Sequence, residues 1–146
     1  MEKEINLIVE GSIVIAASDE NIWDVLINPD KIKQYMFGSI VSTNWQPGSD
    51  VTFTRIYNGI QYQDKGQILE VAEKELLKFT YWSSQEGYDD IKENYSVITY
   101  TLEMENPVCC TLKYRREKIP LAFEQKNQER FLPGMLGQIK NLAEQE

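Results

Sequence analysis

The sequence predicts an α+β fold in which a bent antiparallel sheet of six or seven strands wraps around a long C-terminal helix. Three observations predict it. Tight turn signals separate the central strand-like segments without helical crossovers, two short helical segments follow the first strand, and residues 121–146 form one long amphipathic stretch. At 146 residues the chain has the size of one domain, so we expect a single domain over residues 1–146.

The N-terminal part predicts a strand followed by two short helices. Alternating apolar residues over positions 4–16 indicate the strand. Ser18 is a suitable N-cap for a first helix that ends at Asn28. Pro29 fits the first position of a second helix, which Gly38 closes.

The centre of the chain predicts an antiparallel meander. Its turns are Gln46-Pro47-Gly48-Ser49, Asn58-Gly59 and Asn106-Pro107. The strands between and around them are rich in β-branched and aromatic residues and cover positions 40–45, 51–57, 61–72, 76–82, 95–105 and 108–115. The polar stretch 83–93 is the longest loop, and we expect it to act as a lid.

The C-terminal stretch predicts a helix, and Pro133-Gly134 should either kink it or mark where its well-formed part begins. A helix of about 25 residues is roughly 37 Å long and so can span the sheet, but it is only about 10 Å wide. A wider sheet that curls around it leaves a gap. We therefore expect an apolar cavity between helix and sheet, open near the 83–93 loop.

Composition narrows the classes of function. The net charge of -8 argues against nucleic acid, and we interpret Lys113, Arg115, Arg116 and Lys118 as a solvated strand end. No apolar run is long enough for a membrane helix, so we expect no membrane insertion. The acidic N-terminus is untypical of a signal peptide, which makes the cytoplasm the expected location.

The chain contains no histidine, which excludes histidine-based triads and histidine-ligated metals. Cys109 and Cys110 are neighbours in a strand and are expected to be free thiols on opposite faces. The acidic loop residues Glu86, Asp89, Asp90 and Glu93 lack the pattern of a calcium loop. We expect no metal, no cofactor and no catalytic residue, and binding is favoured over catalysis.

Arg55 is the sharpest candidate for a polar binding residue. Alternation places it on the same strand face as Phe53 and Tyr57. A buried guanidinium needs a partner, which is either an internal carboxylate such as Glu70 or the acidic head of a ligand. The alternative is that Arg55 lies near the rim and extends its charge into water.

The order of elements resembles the helix-grip fold of the START and birch-allergen-like superfamily, also called SRPBCC. Residues 22–35 (IWDVLINPDKIKQY) resemble the opening of its AHSA-type branch, that of the activator of heat-shock-protein ATPase homologues. Later blocks are similar too, at 45–49 (WQPGS), 66–71 (GQILEV), 80–83 (TYWS), 93–100 (ENY-S-VITY) and 132–142. The resemblance implies binding of a small hydrophobic ligand, with a polyketide cyclase or dehydratase-like enzyme and a chaperone-interaction domain as alternatives.

The aromatic residues favour a flat or ring-bearing apolar ligand. Each ring taken singly also fits a core position. We expect the ligand to contact eight side chains, namely Phe53, Arg55, Tyr57, Phe79, Tyr81, Tyr100, Phe131 and Met135.

Overall fold

The computed structural model describes residues 7–145, which form a seven-stranded antiparallel sheet and three α-helices. The strands lie in the order β1-β7-β6-β5-β4-β3-β2. In chain order the elements are β1 (Leu7–Ile15), α1 (Asp19–Ile27), α2 (Pro29–Tyr35), β2 (Ile40–Ser42), β3 (Asp50–Tyr57), β4 (Ile60–Ala72), β5 (Leu76–Ser83), β6 (Ser96–Asn106), β7 (Cys109–Ile119) and α3 (Ala122–Glu144). This confirms the predicted α+β helix-grip fold; positions 4–6 of the predicted first strand and residue 146 of the predicted helix lie outside the described residues.

Local capping explains the two short helices. The Ser18 side chain accepts a hydrogen bond from the Asn21 backbone N–H at 3.2 Å and so caps α1. Asn28 serves both helices: its backbone N–H donates to the Asp24 carbonyl at 2.8 Å, and its side chain accepts from the Asp30 N–H at 2.9 Å. One residue therefore ends α1 and begins α2.

The long helix α3 packs mainly on β1 and α1. It buries Leu132, Leu136, Ile139 and Ala143 on that side. Gly11 allows this close approach, because a Cβ atom there would lie 2.7 Å from the Leu132 Cδ2 atom. No helix within residues 7–145 is long and apolar enough to cross a membrane.

One local expectation needs correction, and the helix at Pro133 has a defined extent. The predicted strand 40–45 is a strand only over Ile40–Ser42, and Trp45 adopts a left-handed φ of 61°, which strand backbone does not tolerate. Helix α3 extends over Ala122–Glu144 with Pro133 in its interior, so it begins well before the Pro133-Gly134 position.

The segment after β5 is fastened to the sheet. It contains two short 3-10 turns, Ser84–Glu86 and Lys92–Asn94. The Trp82 Nε1 atom donates to the Asp89 carbonyl at 3.1 Å, and the Trp82 ring stacks on Tyr95 with centroids 6.3 Å apart. These contacts hold its middle against β5.

Candidate functional site

Aromatic rings line the concave face of the sheet. The Phe53 ring lies 6.1 Å from Phe79 and 5.9 Å from Tyr81, measured between centroids. Tyr100 and Tyr114 meet edge to face at 5.3 Å. Phe53, Phe79, Tyr100 and Tyr114 are buried, and burial raises the pKa of the Tyr100 and Tyr114 hydroxyls. These hydroxyls therefore stay protonated at neutral pH.

Arg55 forms an ion pair inside this aromatic surface. Its Nη1 atom lies 2.7 Å from Oδ2 of Asp64, which is fully buried, while the Arg55 side chain is 16% exposed. Tyr81 donates its hydroxyl to the same Oδ2 atom, and Arg55 also donates to the Gln85 side chain. Burial, and next the charge of Asp64, raise the pKa of Tyr81. The guanidinium is therefore paired within the protein.

The partner of Arg55 is not Glu70. Asp64 pairs with Phe53 in the β3–β4 register and Arg55 with Tyr62, so the two charged residues are diagonal neighbours on one face. Glu70 is exposed and lies opposite Lys78, after a register shift between Ile68 and Glu70. That irregularity changes the strand alternation on which the Glu70 alternative depended.

Arg116 is a second interior arginine, and its side chain is only 2% exposed. Its Nε atom donates to Ser96 Oγ at 2.8 Å, and its Nη2 atom donates to both carboxylate oxygens of Glu86 at 3.2 and 3.3 Å. Its Nη1 atom lies 3.6 Å from a Glu124 oxygen. The guanidinium also lies over the Tyr81 ring, 5.1 Å from its centroid. The prediction that Arg116 is part of a solvated strand end is wrong.

The two acids beside Arg116 come from different elements. Glu86 lies in the 3-10 turn after β5, and Glu124 lies in the first turn of α3. Burial raises the pKa of Glu86 to about 8; Arg116 opposes this shift, and the nearby Glu124 adds to it. Glu86 is therefore mostly protonated at neutral pH, which reduces the negative charge around Arg116.

Three buried polar atoms have no hydrogen-bond partner among the described residues. They are Asp64 Oδ1, Ser39 Oγ and the Tyr88 hydroxyl. Burial costs more free energy for the Asp64 oxygen than for the two hydroxyls, because a carboxylate oxygen loses stronger hydration. The other oxygen of the same carboxylate, Oδ2, accepts from Tyr81, whose ring lies 5.9 Å from that of Phe53.

A groove of about 390 Å³ lies between α2 and α3. Phe37 and Phe131 line it, and their ring centroids lie 6.0 Å apart. Both side chains are exposed, by 75% and 52%. Tyr35 and Met135 also line it, and the Met135 sulfur lies 4.0 Å from the Tyr100 hydroxyl. This groove thus adjoins the aromatic interior.

A larger groove of about 1420 Å³ lies on the convex face of the sheet. Its lining mixes apolar and polar side chains and includes Thr52, Gln67 and Thr80, together with Lys65 and Asp90, which form an ion pair at 2.6 Å. The 83–93 segment borders this outer groove through residues that include Asp90. Neither groove is an enclosed space between α3 and the sheet.

Seven of the eight predicted site residues fall into three groups, and Tyr57 lies apart from them. Phe53, Phe79 and Tyr100 are buried in the aromatic interior. Arg55 and Tyr81 meet at Asp64, and Phe131 and Met135 line the α2–α3 groove. Tyr57 is exposed at the end of β3, beside the Asn58-Gly59 turn.

Sequence reasoning missed Phe37, Asp64, Glu86, Arg116 and Glu124 as parts of the site. A usable signal existed for Arg116, because Cys110, Leu112 and Tyr114 alternate onto the buried face just before it. None exists for Glu86, since its inward direction follows from a loop contact with β7.

Residues 7–145 contain no group of three or more acidic or cysteine side chains that could hold a metal ion. In the acidic loop, Asp90 is engaged by Lys65 and by the Tyr95 hydroxyl. Cys109 and Cys110 are free, and burial raises the pKa of Cys110. A buried thiol of raised pKa is a poor nucleophile.

Comparison with solved structures supports the fold. ChR145 from Cytophaga hutchinsonii is 34% identical, with a TM-score of 0.81 over 98% of this chain and 97% of that one. CV1439 from Chromobacterium violaceum is 18% identical, with a TM-score of 0.78 over 94% and 96% of the two chains. Ara h 8.0201 is 14% identical, with a TM-score of 0.73 over 97% and 99%. The last two show likeness of fold alone.

No curated protein matches the sequence. The family model of Activator of Hsp90 ATPase homolog 1-like protein matches residues 16–144, almost the whole chain. Together with the helix-grip architecture and the 34% identical structure, this match places the chain within one branch of the superfamily. The chain belongs to the Activator of Hsp90 ATPase homolog 1-like family.

Proposed function

We propose that the chain binds a small, mainly apolar ligand that enters between α2 and α3 and lies against the aromatic residues of the concave face. The observation that carries this proposal is the α2–α3 groove, where two exposed phenylalanine rings stand over Met135, which itself contacts Tyr100. A ligand there passes from exposed rings to buried rings. Apolar grooves of this kind with a few polar groups are typical of ligand sites.

Two features of Phe37 support a functional role. Its ring is more exposed than expected for a large apolar side chain, and exposure costs the burial energy of a phenylalanine, roughly 2 kcal/mol. Its backbone has a φ of 54°, in the left-handed region, where a bulky residue is strained. Stability alone favours a small polar residue at this position.

A neutral fluorescent dye such as Nile red tests the proposal. Phe131→Ala and Phe37→Ala each remove a ring from the groove, and we expect each to weaken dye binding about tenfold, the loss of one well-packed ring contact. Phe123→Ala is the matched control, because Phe123 lies on the same helix, is 72% exposed and does not line the groove. Equal effects of all three variants would count against the groove.

The exposed rings also fit a second function, the binding of a protein partner such as a chaperone. Phe123, Phe131 and Phe37 together leave apolar surface on and beside α3. A protein that covers this surface would contact Phe123 as well as Phe131. A loss of partner binding in Phe123→Ala, without a change in dye binding, would separate this function from ligand binding.

The raised pKa of Glu86 invites an enzymatic interpretation, but its contacts disfavour it. Both Glu86 oxygens accept from Arg116, and the side chain is largely buried. A general acid must reach the substrate atom that it protonates. We therefore assign Glu86 and Glu124 to the structure of the interior.

A further inference from the structure

We infer that the polar end of the ligand is an uncharged hydrogen-bond donor, such as a hydroxyl group, that binds Oδ1 of Asp64. This inference rests on the proposed function and names the chemical class of the ligand. It differs from the expectation that Arg55 receives the acidic head of a ligand.

The first step is the unpaired oxygen itself. Asp64 is fully buried, and its Oδ2 atom accepts from both Arg55 and Tyr81. Its Oδ1 atom has no partner among residues 7–145. Burial of a carboxylate oxygen costs free energy unless a donor reaches it. The site therefore has one acceptor atom, Oδ1, for which the described residues supply no donor.

The second step is the position of Asp64 in the sheet. Asp64 lies opposite Phe53 in the β3–β4 register, and Tyr81 links it to the ring cluster of Phe53 and Phe79. This is the aromatic surface that we propose to receive the ligand. A donor at the end of an apolar ligand would replace water at Oδ1 while the ligand body contacts the rings.

The third step is charge. Asp64 neutralises Arg55, and Glu86 with Glu124 neutralises Arg116, so both interior guanidinium groups already have acidic partners. A carboxylate ligand would find no unpaired cation in this cluster and would face the lone pairs of Oδ1. An ammonium ligand would be buried near two guanidinium groups. An uncharged donor avoids both costs.

A series of three ligands of equal chain length tests the inference on the unmodified protein: 1-decanol, its methyl ether and decanoic acid, each displacing Nile red at about pH 7.5. We expect the alcohol to bind at least about tenfold more tightly than the ether, because only the alcohol donates to a charged acceptor. We also expect it to bind more tightly than the ionised acid.

Equal binding of alcohol and ether would overturn the inference and would mean that Oδ1 keeps a water molecule. Tightest binding by the acid would also overturn it and would return the polar role to Arg55. In both cases the ligands still displace the dye, so the proposed function survives. Failure of all three to displace the dye would contradict the proposed function instead.

Asp64→Asn adds a test on the residue. The amide is similar in size but carries no charge, so we expect the alcohol-to-ether preference to fall to within about threefold while ether binding is unchanged. Asp50→Asn is the matched control, since Asp50 is exposed at the start of β3 and lines the convex groove. An unchanged preference in a folded Asp64→Asn protein would contradict the inference; if that variant does not fold, the series on the unmodified protein decides it.

Discussion

Arg116 on β7 donates to both carboxylate oxygens of Glu86, at 3.2 and 3.3 Å, and so ties the segment after β5 to the concave face of the sheet. The same guanidinium lies 3.6 Å from Glu124 in the first turn of α3. Sheet, loop and helix therefore meet at one buried cation. This contact fastens the start of the 83–93 segment to the sheet.

Removal of the Arg116 charge should destabilise the fold. Arg116→Met leaves Glu86 and Glu124 without their shared cation, and loss of one partner of a buried ion pair costs roughly 3 kcal/mol. Urea unfolding near pH 7.5 measures the change. Arg115→Met is the control: Arg115 is an exposed neighbour that pairs with Glu10, so its loss should cost less than about 1 kcal/mol. Similar losses in both variants would contradict the buried cluster.

The pH dependence of stability should report on Glu86. Its folded-state pKa of about 8 is above its ordinary value of 4.5, so folding takes up a proton between these values. The contribution of Glu86 to the free energy of unfolding is fully present below about pH 4.5. It is lost as the pH rises through the folded-state pKa, by at most about 1.4 kcal/mol per pH unit. Glu86→Gln should flatten the profile of unfolding free energy between pH 5 and 8. An unchanged slope in that variant would show that Glu86 is ionised throughout.

Two glycines should respond in opposite directions to alanine. Gly11→Ala places a Cβ atom 2.7 Å from Leu132, and we expect a loss of roughly 1–3 kcal/mol from overpacking between β1 and α3. Gly137→Ala, in the interior of α3 with no atom within 4 Å of the new Cβ, should gain about 0.5–1 kcal/mol. Thermal unfolding compares the two variants. A gain in Gly11→Ala would mean that α3 lies farther from β1.

The sequence allowed the fold to be predicted because its signals are local. Ser18 and Asn28 mark helix ends by their own side chains, and the Asn58-Gly59 turn separates β3 from β4. Pro133 marks no helix boundary, because α3 extends on both sides of it, from Ala122 to Glu144.

The site could be predicted only where the alternation of side chains along a strand decides which face of the sheet a residue is on. The pattern around Phe53 correctly put Arg55 near the interior, and the same rule applied to Tyr114 would have buried Arg116, had its charged neighbours not suggested solvent. The pairing of Asp64 with Arg55 depends on the diagonal register of β3 and β4. The direction of Glu70 depends on the β4–β5 register, which shifts between Ile68 and Glu70. Such irregularities carry no sequence signal of their own.

An NMR titration with 1-decanol tests most directly whether the ligand lies between α2, α3 and the concave face. We predict shifts of the Met135 methyl group and of the Tyr35, Tyr100 and Phe131 rings, which line the α2–α3 groove or contact a residue that does. The signals of Thr52, Thr80 and Tyr95 on the convex groove should stay unchanged. Shifts confined to the convex-groove residues, or none at either place, would contradict the account.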